Sequence, residues 1–146
     1  GHVVEVDRDQ AGWAYRHSMM DERGLVVLGA YLALTPATRE EIRARMEDLQ
    51  TRRSDKQPLE MPSAGSTFKR PQGYFAGKLI QDAGLRGFRV GGAQVSEKHT
   101  GFVVNADHAS AQDVLDLIGE VQKRVHDDVG VWLEPEVRMW GFENEE

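Results

Sequence analysis

The sequence predicts an α+β fold, because helix-type and strand-type apolar patterns occupy separate blocks of the chain. Three observations carry this prediction. Residues 25–34 (LVVLGAYLAL) are apolar almost throughout, which is typical of a buried strand. Residues 88–96 and 101–107 form two short strand-like segments, and a capped amphipathic helix follows them after Ser110.

The first long helix is predicted from Thr38-Arg-Glu-Glu41, which has the Ser/Thr-x-x-Glu form of a capping box. Ile42, Met46 and Leu49 give it only a narrow apolar stripe, so we expect it to lie on the surface. It should end near Arg53. A short helix is predicted within residues 74–87, with Gly84 as its stop signal.

The second long helix is the best-defined element of the sequence. Ser110-Ala-Gln-Asp113 caps its start, and Gly130 follows its end. Its predicted buried face consists of Val114, Leu117, Ile118, Val121 and Val125. Strands are also predicted at residues 2–7 and in residues 131–141, with a bulge or a close backbone approach at Gly91-Gly92.

Composition narrows the class of protein. The 146 residues contain no cysteine, which excludes disulfides, thiolate catalysis and zinc sites built on cysteine, and suits a cytosolic protein. The net charge of −6 argues against a nucleic-acid-binding protein, although a local cationic pocket remains compatible with it. No apolar run is long enough to span a membrane, and we predict no metal site.

Residues 62–71 (PSAGSTFKRP) crowd three hydroxyl groups around a glycine and continue with two cations. Clusters of Gly, Ser and Pro mark loops in general, and the spacing matches neither the Walker A motif nor the dinucleotide fingerprint. We therefore predict a loop. Lys69 and Arg70 could hold a phosphate or a carboxylate, but adjacent cations are more often solvated surface.

Other polar residues have two interpretations each. Glu136 and Arg138 would point to the same face of a strand, either as an exposed ion pair of small effect or as a joint ligand site. Arg16 poses the same alternative. His99 is by default a strand-end histidine, with a base or a hydrogen-bonding contact as the alternatives. Spacing alone leaves these roles open.

Four ordered segments together resemble the C-terminal half of the UDP-N-acetylenolpyruvoylglucosamine reductase (MurB) family. They are QPLEMPSAGSTFKRP, FAGKLIQDAGLRG, VGGAQVSEKHTGFVVN and VWLEPEVRMWG. The compact spacing between AYRHS and PSAGS resembles the shorter family form, which lacks an extra loop. The resemblance implies a cytoplasmic flavoprotein oxidoreductase of peptidoglycan synthesis, and thereby roles in cell wall biogenesis, cell shape and cell division.

The resemblance also implies a domain organisation. Residues 1–34 would be a remnant of the second FAD-binding domain, made of strands, and residues 35–146 the C-terminal UDP-sugar-binding domain. The main FAD site would lie in a missing N-terminal part, so no FAD-binding residue is assigned. The chain alone is expected neither to hold FAD nor to turn over. The implied reaction reduces UDP-N-acetylglucosamine enolpyruvate to UDP-N-acetylmuramate, with NADPH reducing the FAD.

Matched position by position, the resemblance implies that Ser66 donates a proton to the carbanion or enolate formed after hydride transfer. Arg16 would stabilise negative charge, and Glu136 would be the active-site acid. Implied substrate contacts are Lys56, Lys69, His99 and Arg138. Arg70 stands where the family frequently has asparagine, so its role is open. The alternatives are a non-catalytic UDP-sugar-binding module and a purely structural domain.

Overall fold

The fold is α+β, as predicted, with helices and one antiparallel sheet. The computed structural model describes residues 1–15 and 17–141. They form two compact units, Gly1–Thr38 and a second unit that begins at Arg39. In chain order the elements are α1 Met19–Glu22, α2 Arg39–Lys56, β1 Ser63–Ser66, α3 Ala76–Asp82, β2 Arg89–Val90, β3 Ala93–Val95, β4 Phe102–Asn105 and α4 Ala111–Val129.

The second unit is built on a four-stranded sheet with the strand order β1-β4-β3-β2. All three strand pairs are antiparallel. Helices α3 and α4 supply the apolar side chains that cover the sheet. The largest side chains that are fully excluded from solvent are Ile80, Leu85, Val95, Val104, Leu117, Val121, Val125 and Leu133. No helix in the described residues is long and apolar enough to span a bilayer.

Helix α4 confirms the sequence prediction. The Ser110 hydroxyl accepts a hydrogen bond from the Asp113 N–H, and the Asp113 carboxylate accepts one from the Ser110 N–H, so the capping box is complete. Four of the five predicted face residues are buried, and Val114 is half-buried. Gly130 ends the helix in the left-handed conformation.

Asp113 also joins the helix to the sheet. Its Oδ2 accepts a hydrogen bond from the Gly92 N–H at 3.2 Å, in the turn between β2 and β3. The backbone N–H of Ser110 and then that of Gly92 stabilise the ionised carboxylate, so the pKa of Asp113 is lowered. The charged form of Asp113 therefore stabilises both the helix start and the hairpin.

Replacing Asp113 with asparagine is expected to lower stability at neutral pH. Because the folded-state pKa of Asp113 is lowered, its stabilising effect is complete above the unfolded-state pKa of about 3.9 and disappears as the pH falls through the folded value. The gap between the melting temperatures of wild type and variant should therefore narrow below about pH 4. Asp116→Asn, on an exposed face of the same helix, is the control; a gap of constant size would contradict this linkage.

Two predicted strands are absent from the first unit. Residues 2–7 and 25–34 have no strand assignment, and residues 25–34 are exposed along their whole length, so the prediction of a buried strand is wrong here. An apolar run supplies side chains for burial but not the neighbouring strand that its backbone needs, and the described residues of this unit provide none. The segment between residues 2–7 and 25–34 contains the four-residue helix α1.

In the second unit, three local predictions need correction. Helix α2 has no buried residue, as expected for a surface helix, but it continues to Lys56. Gly91-Gly92 is a two-residue hairpin turn between Val90 and Ala93 rather than a bulge, although the predicted close backbone approach is present at Gly92. Residues 131–141 form no strand apart from one bridge, between Phe68 and Pro135.

Candidate functional site

An open cavity of about 650 Å³ lies in the second unit. It is lined by the end of α2, the segment that follows it, strand β1 and the turn before β4. The lining residues are Arg53, Gln57, Pro58, Leu59, Met61, Pro62, Ser63, Gly65, Ser66, His99 and Phe102. Two of the site residues expected from the sequence, Ser66 and His99, thus face one cavity.

Ser66 is carried by an irregular edge strand rather than by the predicted loop. Ser63 pairs with Val104 and Ser66 with Phe102, so three steps along β1 correspond to two along β4. Gly65 lies inside this irregular stretch with φ of +89°, a conformation that favours glycine. The extra residue places Ser63 and Ser66 on the same side of the strand, since paired residues share a face.

The residue after Ser66 fixes the strand to the core. Thr67 is buried, and its hydroxyl accepts a hydrogen bond from the Val103 N–H at 3.0 Å. Its N–H donates to the Gly101 carbonyl at 2.8 Å. Because neighbouring side chains of a strand alternate, the inward direction of Thr67 sends Ser66 outward, where it is exposed on the cavity wall.

The main chain of Glu136 lies beside that of Thr67. The Glu136 N–H donates to the Thr67 carbonyl at 2.8 Å, and the Lys69 N–H donates to the Glu134 carbonyl at 2.8 Å. Phe68, between these bonds, is 3% exposed and belongs to the core. Glu136 therefore lies opposite Thr67, the residue next to Ser66. Its side chain is exposed and lies outside the cavity lining.

His99 has one ring nitrogen committed to the backbone. Its Nδ1 accepts a hydrogen bond from the Gly101 N–H at 3.1 Å, and its ring contacts Phe102 edge-on at 5.1 Å. A neutral imidazole that accepts at Nδ1 carries its proton on Nε2. His99 therefore offers the cavity a hydrogen-bond donor of fixed orientation.

The remaining predicted contacts lie outside the cavity lining. Lys56 is exposed at the last position of α2, and Lys69 forms an ion pair with Glu134. Arg138 is exposed. Arg70 donates to the Tyr74 carbonyl at 3.2 Å and stacks on Phe75, with its guanidinium carbon 4.0 Å from the ring centroid, so it braces the following loop. Arg16 lies outside the described residues.

Sequence reasoning missed two polar residues of the lining, Arg53 and Gln57. Arg53 lies in the last turn of α2, and Gln57 directly follows the helix with its N–H bonded to the Arg53 carbonyl, so the two side chains are neighbours. The Arg53 Nε–H donates to the Gln57 Oε1 at 3.1 Å. The charged composition of α2 predicted only a solvated helix face, which has the same sequence pattern as a face that meets a ligand.

Together, the helix-covered antiparallel sheet and the polar cavity beside its β1 edge define an α+β domain with a candidate small-molecule site. Residues 57–140 match the family model described as "UDP-N-acetylenolpyruvoylglucosamine reductase, C-terminal domain". This match covers more than half of the chain, and the chain belongs to that family.

Whole-protein relatives carry the same name. UDP-N-acetylenolpyruvoylglucosamine reductase of Agathobacter rectalis is 59% identical over 97% of this chain and 45% of its own length. That of Lachnoclostridium phytofermentans is 54% identical over 97% of this chain and 46% of its own length. The chain therefore spans about half the length of these relatives.

A solved structure agrees with the family assignment. The crystal structure of UDP-N-acetylenolpyruvylglucosamine reductase (MurB) from Thermus caldophilus is similar to this chain with a TM-score of 0.70 and 37% sequence identity. The similarity covers 90% of this chain and 46% of that one. The family named from the four sequence segments is thereby confirmed.

Proposed function

We propose that this chain supplies the UDP-sugar-binding domain of an NADPH-dependent flavoenzyme that reduces UDP-N-acetylglucosamine enolpyruvate to UDP-N-acetylmuramate. Family membership and the names of the relatives support the reaction. The single observation that carries the site is the position of Ser66, a hydroxyl fixed on the wall of a cavity large enough for part of a sugar nucleotide. The absence of cysteine supports a cytoplasmic location for the protein.

Ser66 is proposed as the proton donor. Once the enolpyruvyl methylene carbon has accepted a hydride, negative charge develops on the neighbouring carbon and on the carboxylate. A hydroxyl is a poor acid in water, but a carbanion is a strong enough base to accept its proton. The rigid attachment of Ser66 through Thr67 would hold the donor at a constant distance from that carbon.

Glu136 and Arg16 are proposed to act on the same charge. The backbone bond between Glu136 and Thr67 supports a position of the carboxyl group near Ser66, from which it could donate a proton to the enolate or orient the hydroxyl. A guanidinium such as that of Arg16 would stabilise the enolate oxygens. His99 is proposed to donate a hydrogen bond to the UDP-sugar, with Lys56, Lys69 and Arg138 as peripheral polar contacts.

FAD, reduced by NADPH, would supply the hydride. The family resemblance places the main FAD site in another part of the full-length protein, so no residue of this chain is assigned to it. We therefore derive only the substrate side of the reaction from this chain. A non-catalytic UDP-sugar-binding module is the second candidate, supported by the same cavity.

The proposed reaction can be tested with the natural full-length protein that contains this sequence. We expect oxidation of NADPH that depends on UDP-N-acetylglucosamine enolpyruvate, together with a product two hydrogen masses heavier than the substrate. Spectrophotometry and mass spectrometry would follow the two events. Binding of the substrate without NADPH oxidation would favour the non-catalytic module, and failure to bind it would reject both functions.

A further inference from the structure

We propose that Arg53 is the residue that binds the diphosphate of the UDP-sugar, and that Gln57 orients its guanidinium. This inference rests on the proposed function, because it assigns a role within the same cavity. Arg53 is the one residue with a permanently charged side chain among the described residues that line this cavity. In a protein of net charge −6, it gives the cavity a local affinity for anions.

The charge of Arg53 is not neutralised by its own helix. Three other arginines of α2 are paired with carboxylates: Arg43 with Glu47, and Arg45 and Arg52 with Asp48. Within the described residues, Arg53 has no such ion pair, and its side-chain partner is the neutral amide of Gln57. Its positive charge is therefore available to a ligand.

The carboxylate of Glu60, which is next in sequence to two lining residues, is paired with a lysine rather than with Arg53. Glu60 lies between the lining residues Leu59 and Met61, and it pairs with Lys98 at 3.4 Å. A hydrogen bond from its own backbone N–H and the contact with Lys98 lower the pKa of Glu60. Glu60 is thus an ionised partner of Lys98, and not a counter-ion for Arg53.

The hydrogen bond to Gln57 does not use the two terminal nitrogens of the Arg53 guanidinium. Arginine has five N–H donors, and the bond to Gln57 uses the Nε–H. The two terminal nitrogens form a planar fork that matches two phosphate oxygens. Because the amide holds the guanidinium in one direction before ligand arrives, less conformational entropy is lost on binding.

The diphosphate fits Arg53 better than the enolpyruvyl carboxylate does. That carboxylate is bonded to the carbon that Ser66 is proposed to protonate, so it must lie beside β1. A sugar ring separates the enolpyruvyl group from the diphosphate, so an anchor for the diphosphate belongs on another element of the same cavity. The last turn of α2, which carries Arg53, lines the cavity there.

Titration calorimetry of the natural full-length protein tests this assignment with two ligands, UDP and UDP-N-acetylglucosamine enolpyruvate. UDP contains the diphosphate and lacks the carboxylate. Arg53→Gln should weaken the binding of both ligands by about 10- to 100-fold, the effect of losing hydrogen bonds from a charged group. Arg52→Gln, which removes the neighbouring charge from the same helix, should change neither by more than about twofold.

Unchanged UDP binding by a folded Arg53→Gln protein would overturn the assignment, and weakening limited to the enolpyruvyl ligand would transfer Arg53 to the carboxylate. If wild-type protein binds neither ligand, the proposed function itself fails. Gln57→Leu as a single substitution should weaken UDP binding. Added to Arg53→Gln, it should cause no further loss. Additive losses would show that Gln57 does not act through Arg53.

Discussion

Replacement of Ser66 with alanine in the natural full-length protein is expected to slow substrate reduction by about 10²- to 10⁴-fold, the usual contribution of a positioned proton donor. Reduction of the flavin by NADPH should continue at the wild-type rate, because this step needs no proton from Ser66. Stopped-flow absorbance of the flavin separates the two half-reactions. The loss should appear only when the reduced enzyme is mixed with UDP-N-acetylglucosamine enolpyruvate.

Ser63 offers a matched control for this experiment. It lies on the same strand and lines the same cavity, and the irregular register gives it the same facing as Ser66. Ser63→Ala removes an identical hydroxyl, so its effect on reoxidation should stay within about threefold. Rapid reoxidation of the flavin in the Ser66→Ala protein would remove Ser66 from the mechanism. An equal loss in both variants would indicate a role of strand β1 in binding rather than in proton transfer.

The elements that the sequence predicted correctly are those whose information is local. Helix α4 has its cap, its apolar face and its terminal glycine within one continuous segment, and each of these is present in the structure. Helix α3 likewise ends before Gly84, which has φ of +72°. Helices can be predicted in this way because their hydrogen bonds close within four residues.

Strands depend on partners that lie far away in sequence, and here the predictions failed in both directions. The sequence of residues 63–66 is typical of a loop, yet these residues form β1 because their backbone pairs with that of β4. Residues 131–141 look like a strand, but Pro135 lacks the N–H that a ladder requires, and one bridge to Phe68 is what forms there. The apolar residues 25–34 are exposed, because no described part of the first unit forms a strand beside them.

The site was predictable only in part. The family resemblance named Ser66 in one segment and His99 in another, and the structure places both at one cavity. Arg53 and Gln57 were missed, because a charged helix face has the same sequence pattern whether it meets solvent or a ligand. What distinguishes Arg53 from Arg52 is the partner of its side chain, and this depends on the three-dimensional course of the chain after α2.

Gly92→Ala is expected to destabilise the second unit by at least about 3 kcal/mol, the upper end of the usual range for overpacking. A Cβ atom at this position would lie 2.0 Å from the Asp107 carbonyl oxygen and 2.5 Å from the Ala109 nitrogen. Both are backbone atoms, so no side chain can rotate away to relieve the clash. The Gly92 carbonyl also accepts hydrogen bonds from the N–H groups of Ala106 and Asp107.

Chemical denaturation measures this effect, and Gly119→Ala is the matched control. Gly119 lies on the exposed side of α4, where an added Cβ would meet no atom within 4 Å. Alanine is the better helix former by about 1 kcal/mol, so this variant should be slightly more stable than wild type. A Gly92→Ala protein as stable as wild type would show that the hairpin turn is not held against residues 106–109.

The consequence of Gly92→Ala should extend to strand β1, which carries Ser66. The turn at Gly92 is bonded to the segment that follows β4, and β4 lies between β3 and β1 in the sheet. Displacing that segment would disturb the pairing of Phe102 with Ser66 at the opposite edge of β4. We therefore expect hydrogen exchange at the Thr67 and Val103 amides to accelerate in Gly92→Ala, since these two bonds fix β1 to β4. Unchanged exchange at both amides would mean that the damage stays local to the hairpin.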